Sequence, residues 1–185
     1  ELSIYDIQYT DVQGDYCYES VYDQQCVRTS GVVTAVNPGE MSSFYLQDPN
    51  SDFYAGIYVF DGNQNPVLGD EVTMIATVNE YYSFTELTDV SSYTVESTGN
   101  STIPTVISTG YLSSCSAEGE AFEGMLVEIN NVIIDGVDEY GNWIVNDGTG
   151  ACEVDDYMFD GDWPEPAVGQ EYASIVGVVD YAYST

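Results

Sequence analysis

The sequence has no histidine, no lysine and a single basic residue, Arg28, against 32 acidic residues, for a formal net charge of −31 over 185 residues. Each shortage excludes a class of function. Phosphate backbones are held mainly by Lys and Arg that displace counterions, so nucleic acid is excluded as a partner. An anionic membrane surface is excluded on the same ground. Without His or Lys, a Ser or Cys nucleophile has no conventional base and a developing oxyanion meets no cationic side chain, so the chain is expected to be non-catalytic. Paired carboxylates are the one catalytic arrangement left. With so many acids, a pair at any chosen spacing occurs by chance. No long apolar run is present, so no membrane insertion is expected, and no signal peptide is visible; the start at Glu1 reads as that of a mature secreted product.

Cysteine is scarce but even in number: Cys17, Cys26, Cys115 and Cys152. Without a Cys-x-x-Cys spacing or a His, zinc is disfavoured and disulfides in an oxidising compartment are expected. Four cysteines allow three pairings. Locality favours Cys17–Cys26, closing a short loop, with Cys115–Cys152 tying the middle of the chain to a later strand.

What is present is β-strand patterning. Hydrophobic residues make up 44% and aromatics 14%, including 17 Tyr, enough for a packed core despite the charge. Apolar and polar residues alternate between Gly/Asp/Asn turns, the period of half-buried strands. The pattern occurs twice. Gly31 to Val36, Phe44 to Asp48, Gly56 to Val59 and Leu68 to Val78 are answered by Gly124 to Ile129, Trp143 to Gly150, Ala151 to Val154 and Val168 to Val179. The offsets are 93 residues from Gly31 to Gly124, 99 from Asp48 to Asp147 and 100 from Gly69 to Gly169. A nearly constant offset predicts two copies of one domain. The expected division is an N-terminal strand and disulfide-stapled loop over 1–26, a first domain over 27–97, a linker over 98–121 and a second domain over 122–185. In the linker, Pro104 to Ile107 reads as an edge strand and Ser114 to Ala121 as one helical turn.

The expected fold is all-β: two tandem OB-like Greek-key barrels with an extra N-terminal strand. Val32-Val33-Thr34-Ala35-Val36, Phe44-Tyr45-Leu46-Gln47-Asp48 and Gly69-Asp70-Glu71-Val72, with Phe122-Glu123-Gly124-Met125-Leu126-Val127 and Asn146-Asp147-Gly148-Thr149-Gly150, resemble the OB-fold modules of secreted bacterial proteins. Such modules are often found beside extracellular nuclease domains. The resemblance covers about residues 27–183. It implies a module rather than an activity, since no nuclease domain accompanies it here.

Five candidate features follow. Ile4-Tyr5-Asp6-Ile7-Gln8-Tyr9 reads as a spare strand, while the second copy stops short of the last strand of the first. A barrel lacking a strand exposes unpaired N–H and C=O groups that another chain can satisfy. Ile4, Tyr5, Ile7 and Tyr9 are therefore the expected donor strand. Val176, Val178, Tyr181 and Tyr183 are the expected acceptor edge, in an extracellular or cell-surface filament of identical subunits joined head to tail. Asp155, Asp156, Asp160 and Asp162 put four carboxylates within eight residues, and Asp48, Asn50 and Asp52 form a second cluster. Both are weak calcium candidates against the reading of solvated acidic loops. Phe44, Tyr45, Phe53, Tyr54 and Tyr58, with Trp143 and Tyr157, cluster on the strands that form the ligand face of an OB-fold. They suggest a carbohydrate-binding module, calcium-assisted and cut from a larger secreted enzyme, as the alternative function; filling the core is the plain reading. Asn100-Ser101-Thr102 is an N-glycosylation sequon. A salt-adapted surface protein of the same fold is a third reading of the charge.

Overall fold

The computed structural model describes residues 1–39, 43–112 and 115–180. The chain is mainly β. Strands β1 (Cys26–Val36), β2 (Phe44–Gln47), β3 (Gly56–Val59), β4 (Glu71–Tyr81) and β5 (Phe84–Ser97) form one sheet. It closes into a barrel in the order β1-β2-β3-β5-β4, with β3 and β5 parallel and every other pair antiparallel. Strands β6 (Thr105–Ile107), β7 (Leu126–Val137), β8 (Trp143–Asn146), β9 (Ala151–Val154) and β10 (Glu171–Val178) form the other. Its order is β10-β7-β8-β9, with β6 parallel to β7. The expected edge strand and helical turn of the linker are therefore β6 and a short helix at Ala117–Glu120.

The repeated sequence builds repeated geometry. In the barrel the β1–β2 register shifts between Val33 and Ala35; in the second sheet the β7–β8 register shifts between Ile134 and Gly136. At the first bulge Val33 N donates to Asp70 O and accepts Gly69 N at its own carbonyl; at the second, Ile134 bonds Gln170 and Gly169 in the same way. Both glycines have positive φ, 81° and 87°, which lets the chain turn back into the next strand.

The head differs from its expected form. Residues Ile4–Gln8 are a helix, α1, in place of a strand. Ser3 caps it: its Oγ accepts Asp6 N at 3.1 Å, and Asp6 Oδ2 accepts Ser3 N at 3.0 Å, a reciprocal capping box. Ile4 and Ile7, three apart and so on one helix face, are wholly buried in the barrel core with Val27, Val33, Leu46 and Ile57. Gly31 leaves the room, since a Cβ there would stand 2.9 Å from Ile4 Cδ1. Burying two isoleucines contributes about 1.5–3 kcal/mol each.

The cystine also differs. Cys17 is bonded to Cys115; Cys26 is free and exposed, and Cys152 is free and buried. Neither locally favoured pair forms. The pairing follows from how the two sheets pack, which brings the loop after α1 beside the segment that leads into the helix at Ala117–Glu120, called α2 below.

Candidate functional site

The two sheets meet backbone to backbone. Gly56, at the start of β3, and Gly124, just before β7, approach so closely that a Cβ on Gly56 would lie 2.0 Å from the Gly124 carbonyl carbon. Around them Tyr54 N donates to Ala121 O at 2.7 Å, Leu126 N to Gln47 Oε1 at 2.8 Å and Thr85 N to Glu123 Oε1 at 3.1 Å. Gln8 of α1 reaches the same place, donating to Gly56 O at 2.7 Å. Cys17–Cys115 fastens the seam covalently.

Beside the seam lies a groove of about 360 Å³. One wall is β9 with Asp155, the other is β10 with Val179 and Asp180, and the floor carries Glu120, Glu123 and the disulfide. Its position follows from the repeat. In the barrel β5 stands between β3 and β4. The corresponding strands of the second sheet are β9 and β10, and no strand stands between them among the described residues. Of the expected acceptor edge, Val176 and Val178 line this groove, whereas Tyr181 and Tyr183 lie outside the described residues. The expected donor residues are elsewhere: Ile4 and Ile7 sit in the barrel core, and Tyr5 and Tyr9 stack on each other at 5.4 Å on the surface.

The carboxylates at the floor are the residues that sequence reading missed. Glu123 is 3% exposed and Glu120 6% exposed. Burial, then the charge of Glu80, pushes Glu120 up to about 8. Burial, then the charges of Glu120 and Glu80, pushes Glu123 well above the carboxylate range against the bonds from Thr85 N and the Gln8 side chain. Burial also raises Glu80 to about 7, against hydrogen bonds from Thr85 and Ser20. Their signal was present: Glu120-Ala121-Phe122-Glu123-Gly124-Met125 sets two acids inside an apolar run.

The aromatic face expected to bind sugar is largely occupied. Tyr45, Tyr58 and Phe84 are buried against Met158 and Val178 of the second unit. Tyr58 and Tyr157 hydroxyls share a hydrogen bond at 3.0 Å. Phe44 is in the barrel core, and Trp143 is in the second core with its ring stacked on Tyr172. Only Phe53 and Tyr54 of the expected first-barrel face remain accessible, and Tyr157 keeps an exposed edge.

No three Asp, Glu or Cys side chains among the described residues stand close enough to hold a metal ion. Asp155, Asp156, Asp160 and Asp162 are spread along an exposed loop, where Asp155 accepts Tyr157 N at 3.1 Å. Asp48 accepts Asn50 N at 2.9 Å and so caps its own turn. Its repeat partner Asp147 does the same for Thr149 and also binds Thr109. Burial opposes its charge, but the bonds from Thr149 and Thr109 win and hold it at about 2. The sequon asparagine, Asn100, is engaged: its Nδ2 donates to Gly69 O and Ser97 Oγ, both at 2.9 Å.

These features define the molecule as a mainly β protein of two packed sheets, one closed and the other, among the described residues, open, joined by a disulfide. No helix of the described residues is long and apolar enough to cross a membrane. Compared with known proteins, the chain matches no family model, no curated protein and no solved structure.

Proposed function

We propose that this chain is a non-catalytic structural subunit of an extracellular or cell-surface assembly, built from two OB-like modules, and that the second module receives a β-strand from a neighbouring chain. The observation that carries this reading is the groove between β9 and β10 in the place that β5 fills in the barrel. Unpaired strand edges are sites for strand addition, and main-chain bonding supplies the affinity. The barrel sets the direction: the incoming strand runs parallel to β9 and antiparallel to β10, as β5 runs along β3 and β4. The disulfide supports an oxidising location.

The donor is not the N-terminal segment. Ile4 and Ile7 would have to leave the barrel core and α1 would have to unwind, at a cost of several kcal/mol by area burial alone. Head-to-tail joining of identical subunits therefore needs a donor other than residues 4–9. The test is light scattering and negative-stain microscopy of the purified chain, alone and with extended peptides. Assemblies or peptide binding that Val176→Pro abolishes at unchanged melting temperature support the reading. A wild-type chain that stays monomeric and takes no strand overturns it.

A carbohydrate-binding role is the second reading. It rests on the exposed cluster of Tyr5 and Tyr9, stacked together, with Tyr54 edge-on to both at 5.6 and 5.3 Å. Dispersed monomers that bind a glycan array, and lose that binding in Tyr54→Ala, would favour it. Calcium binding has no ligand cluster behind it among the described residues.

A further inference from the structure

We propose that the floor of the groove is an anchor pocket for a cationic side chain, in which Glu120 and Glu123 receive a Lys ammonium or Arg guanidinium carried by the incoming strand. The inference rests on the strand-accepting reading and adds the partner's chemistry to it.

The first ground is an unsatisfied acceptor. Glu123 is 3% exposed; its Oε1 accepts Thr85 N, and its Oε2 has no hydrogen-bond partner. Glu120 is nearly as buried, and the atom beside its Oε2 is Cys17 Sγ at 3.5 Å. That sulfur is in a disulfide and has no proton to donate. Two carboxylates thus line a groove in which Thr85 N and the Gln8 side chain are the donors beside Glu123 and, among the described residues, no cation reaches either acid. Buried carboxylates are costly unless they are protonated or meet a cation.

The second ground is what surrounds them. Glu80 from β4, Glu153 of β9, Asp155 and Asp180 are the other acids around the same space, Tyr111 and Cys152 are the neutral titratable groups lining it, and Tyr45 lies close behind. Nothing cationic is near: the only basic side chain of the sequence is Arg28, in β1, exposed and in register with Ile75 of β4. The free groove therefore favours protons on Glu120 and Glu123, whose rise from the ordinary range follows from burial and then, for Glu120, from the charge of Glu80 and, for Glu123, from those of Glu120 and Glu80. A bound cation replaces those protons.

The third ground is alternation. A strand laid between β9 and β10 points every second side chain inward. Val127, Ile129 and Ile175 line the groove with the acids, so the fitting strand carries apolar inward residues and one inward Lys or Arg. A metal ion is a poorer occupant, because no third acidic ligand joins the pair among the described residues. This sequence has no Lys, and its own closing strand β5 has no basic residue. Long-range repulsion between copies of charge −31 acts in the same direction. The partner is thus a different, basic chain.

Three synthetic β-peptides, identical apart from a central inward Lys, norleucine or Glu, are titrated into the intact chain by calorimetry in buffers of different ionisation enthalpy. The Lys peptide is expected to bind at least about tenfold more tightly than norleucine and to release protons; the Glu peptide is expected to bind weakest. Glu120→Gln and Glu123→Gln should bring Lys and norleucine to parity and leave norleucine affinity unchanged. If norleucine matches Lys in the wild type, the anchor pocket is refuted while strand acceptance stands. If no peptide binds, the acceptor reading fails with it, as it does if a longer form of the chain fills the groove itself. Calcium alone displacing the Lys peptide would also overturn the pocket. Should the Gln variants not fold, the wild-type Lys-to-norleucine ratio and proton release decide.

Discussion

In the barrel, β1 to β4 are followed by β5, which runs between β3 and β4 and closes the sheet; in the second unit β7, β8, β9 and β10 take the corresponding places and β5's place is a groove. The consequence shows in burial. Strand β4 hides Val72, Met74, Ala76 and Val78 completely or nearly so. In the second unit the residues of β10 and its end that pack on the core are Tyr172, Ile175 and Val179, yet all three are only half-buried. Both strands turn apolar side chains to a core, so apolar content alone does not decide how dry a face becomes. Closure by a neighbouring strand does.

The seam that joins the two regions gives the largest expected effects. Cys17 and Cys115 are 98 residues apart in sequence. Replacing both with Ser should cost up to about 5 kcal/mol, by the loop-entropy argument, in denaturant unfolding. If the second sheet stands independently of the barrel, the loss will be near zero and the comparison of a supported and an unsupported sheet will need redrawing. Gly124→Ala should cost about 3 kcal/mol. Gly124 has φ of +70°, and its Cβ would sit 2.7 Å from Gly56 carbon and Ile57 nitrogen. Gly136→Ala, whose nearest atom would be 3.8 Å away, is the control with no steric cost.

The carboxylates at the seam make stability depend on pH in a direction opposite to the usual one for paired acids. Their pKa values are raised on folding, Glu80 to about 7 and Glu120 to about 8. The folded state then holds protons that the unfolded chain has released. The stabilisation is complete below the unfolded value, near 4.5, and is lost as pH rises through the folded values. The free energy of unfolding, and the melting temperature with it, should fall between pH 5 and pH 8, by up to about 1.4 kcal/mol per pH unit for each retained proton. Glu120→Gln should flatten that slope, and the exposed Glu139→Gln should leave it as it was. An unchanged slope in Glu120→Gln would assign the effect to overall charge.

The smallest effect separates the two turns of the repeat. The Asp147 side chain holds the turn before β9 and also Thr109, whereas the Asp48 side chain bonds only Asn50 among the described residues. Asp147→Ala should cost about 1–2 kcal/mol by the hydrogen bonds lost, and Asp48→Ala less. Because the Asp147 pKa is depressed to about 2, its contribution is present above pH 4 and disappears as the solution is acidified towards 2.

Particular elements show what was legible. The strands of both units were readable because alternation and Gly/Asp turns are local signals, and the bulges at Val33 and Ile134 follow the Gly69 and Gly169 repeat. The head was misread because Tyr5, Ile7 and Tyr9 do alternate. The signals against it were Ile4 and Ile7 at helical spacing and Ser3 three residues before Asp6, a capping box in which Asp takes the usual place of Glu or Gln. Among the described residues the groove lies where the sequence lacks a final strand; the two acids of its floor stand in an apolar run, but nothing local says that they are buried together.

Composition and periodicity, acting through backbone sterics and the drive to bury alternate residues, determined by themselves that this chain would be mainly β, repeated and acidic. Only the tertiary structure decided that Cys17 would meet Cys115, that Tyr45 and Tyr58 would be covered, and that Glu120 and Glu123 would be buried together. Those outcomes depend on how two separately legible sheets dock, and docking is fixed by the approach of Gly56 to Gly124, a contact between residues 68 positions apart that no local pattern encodes.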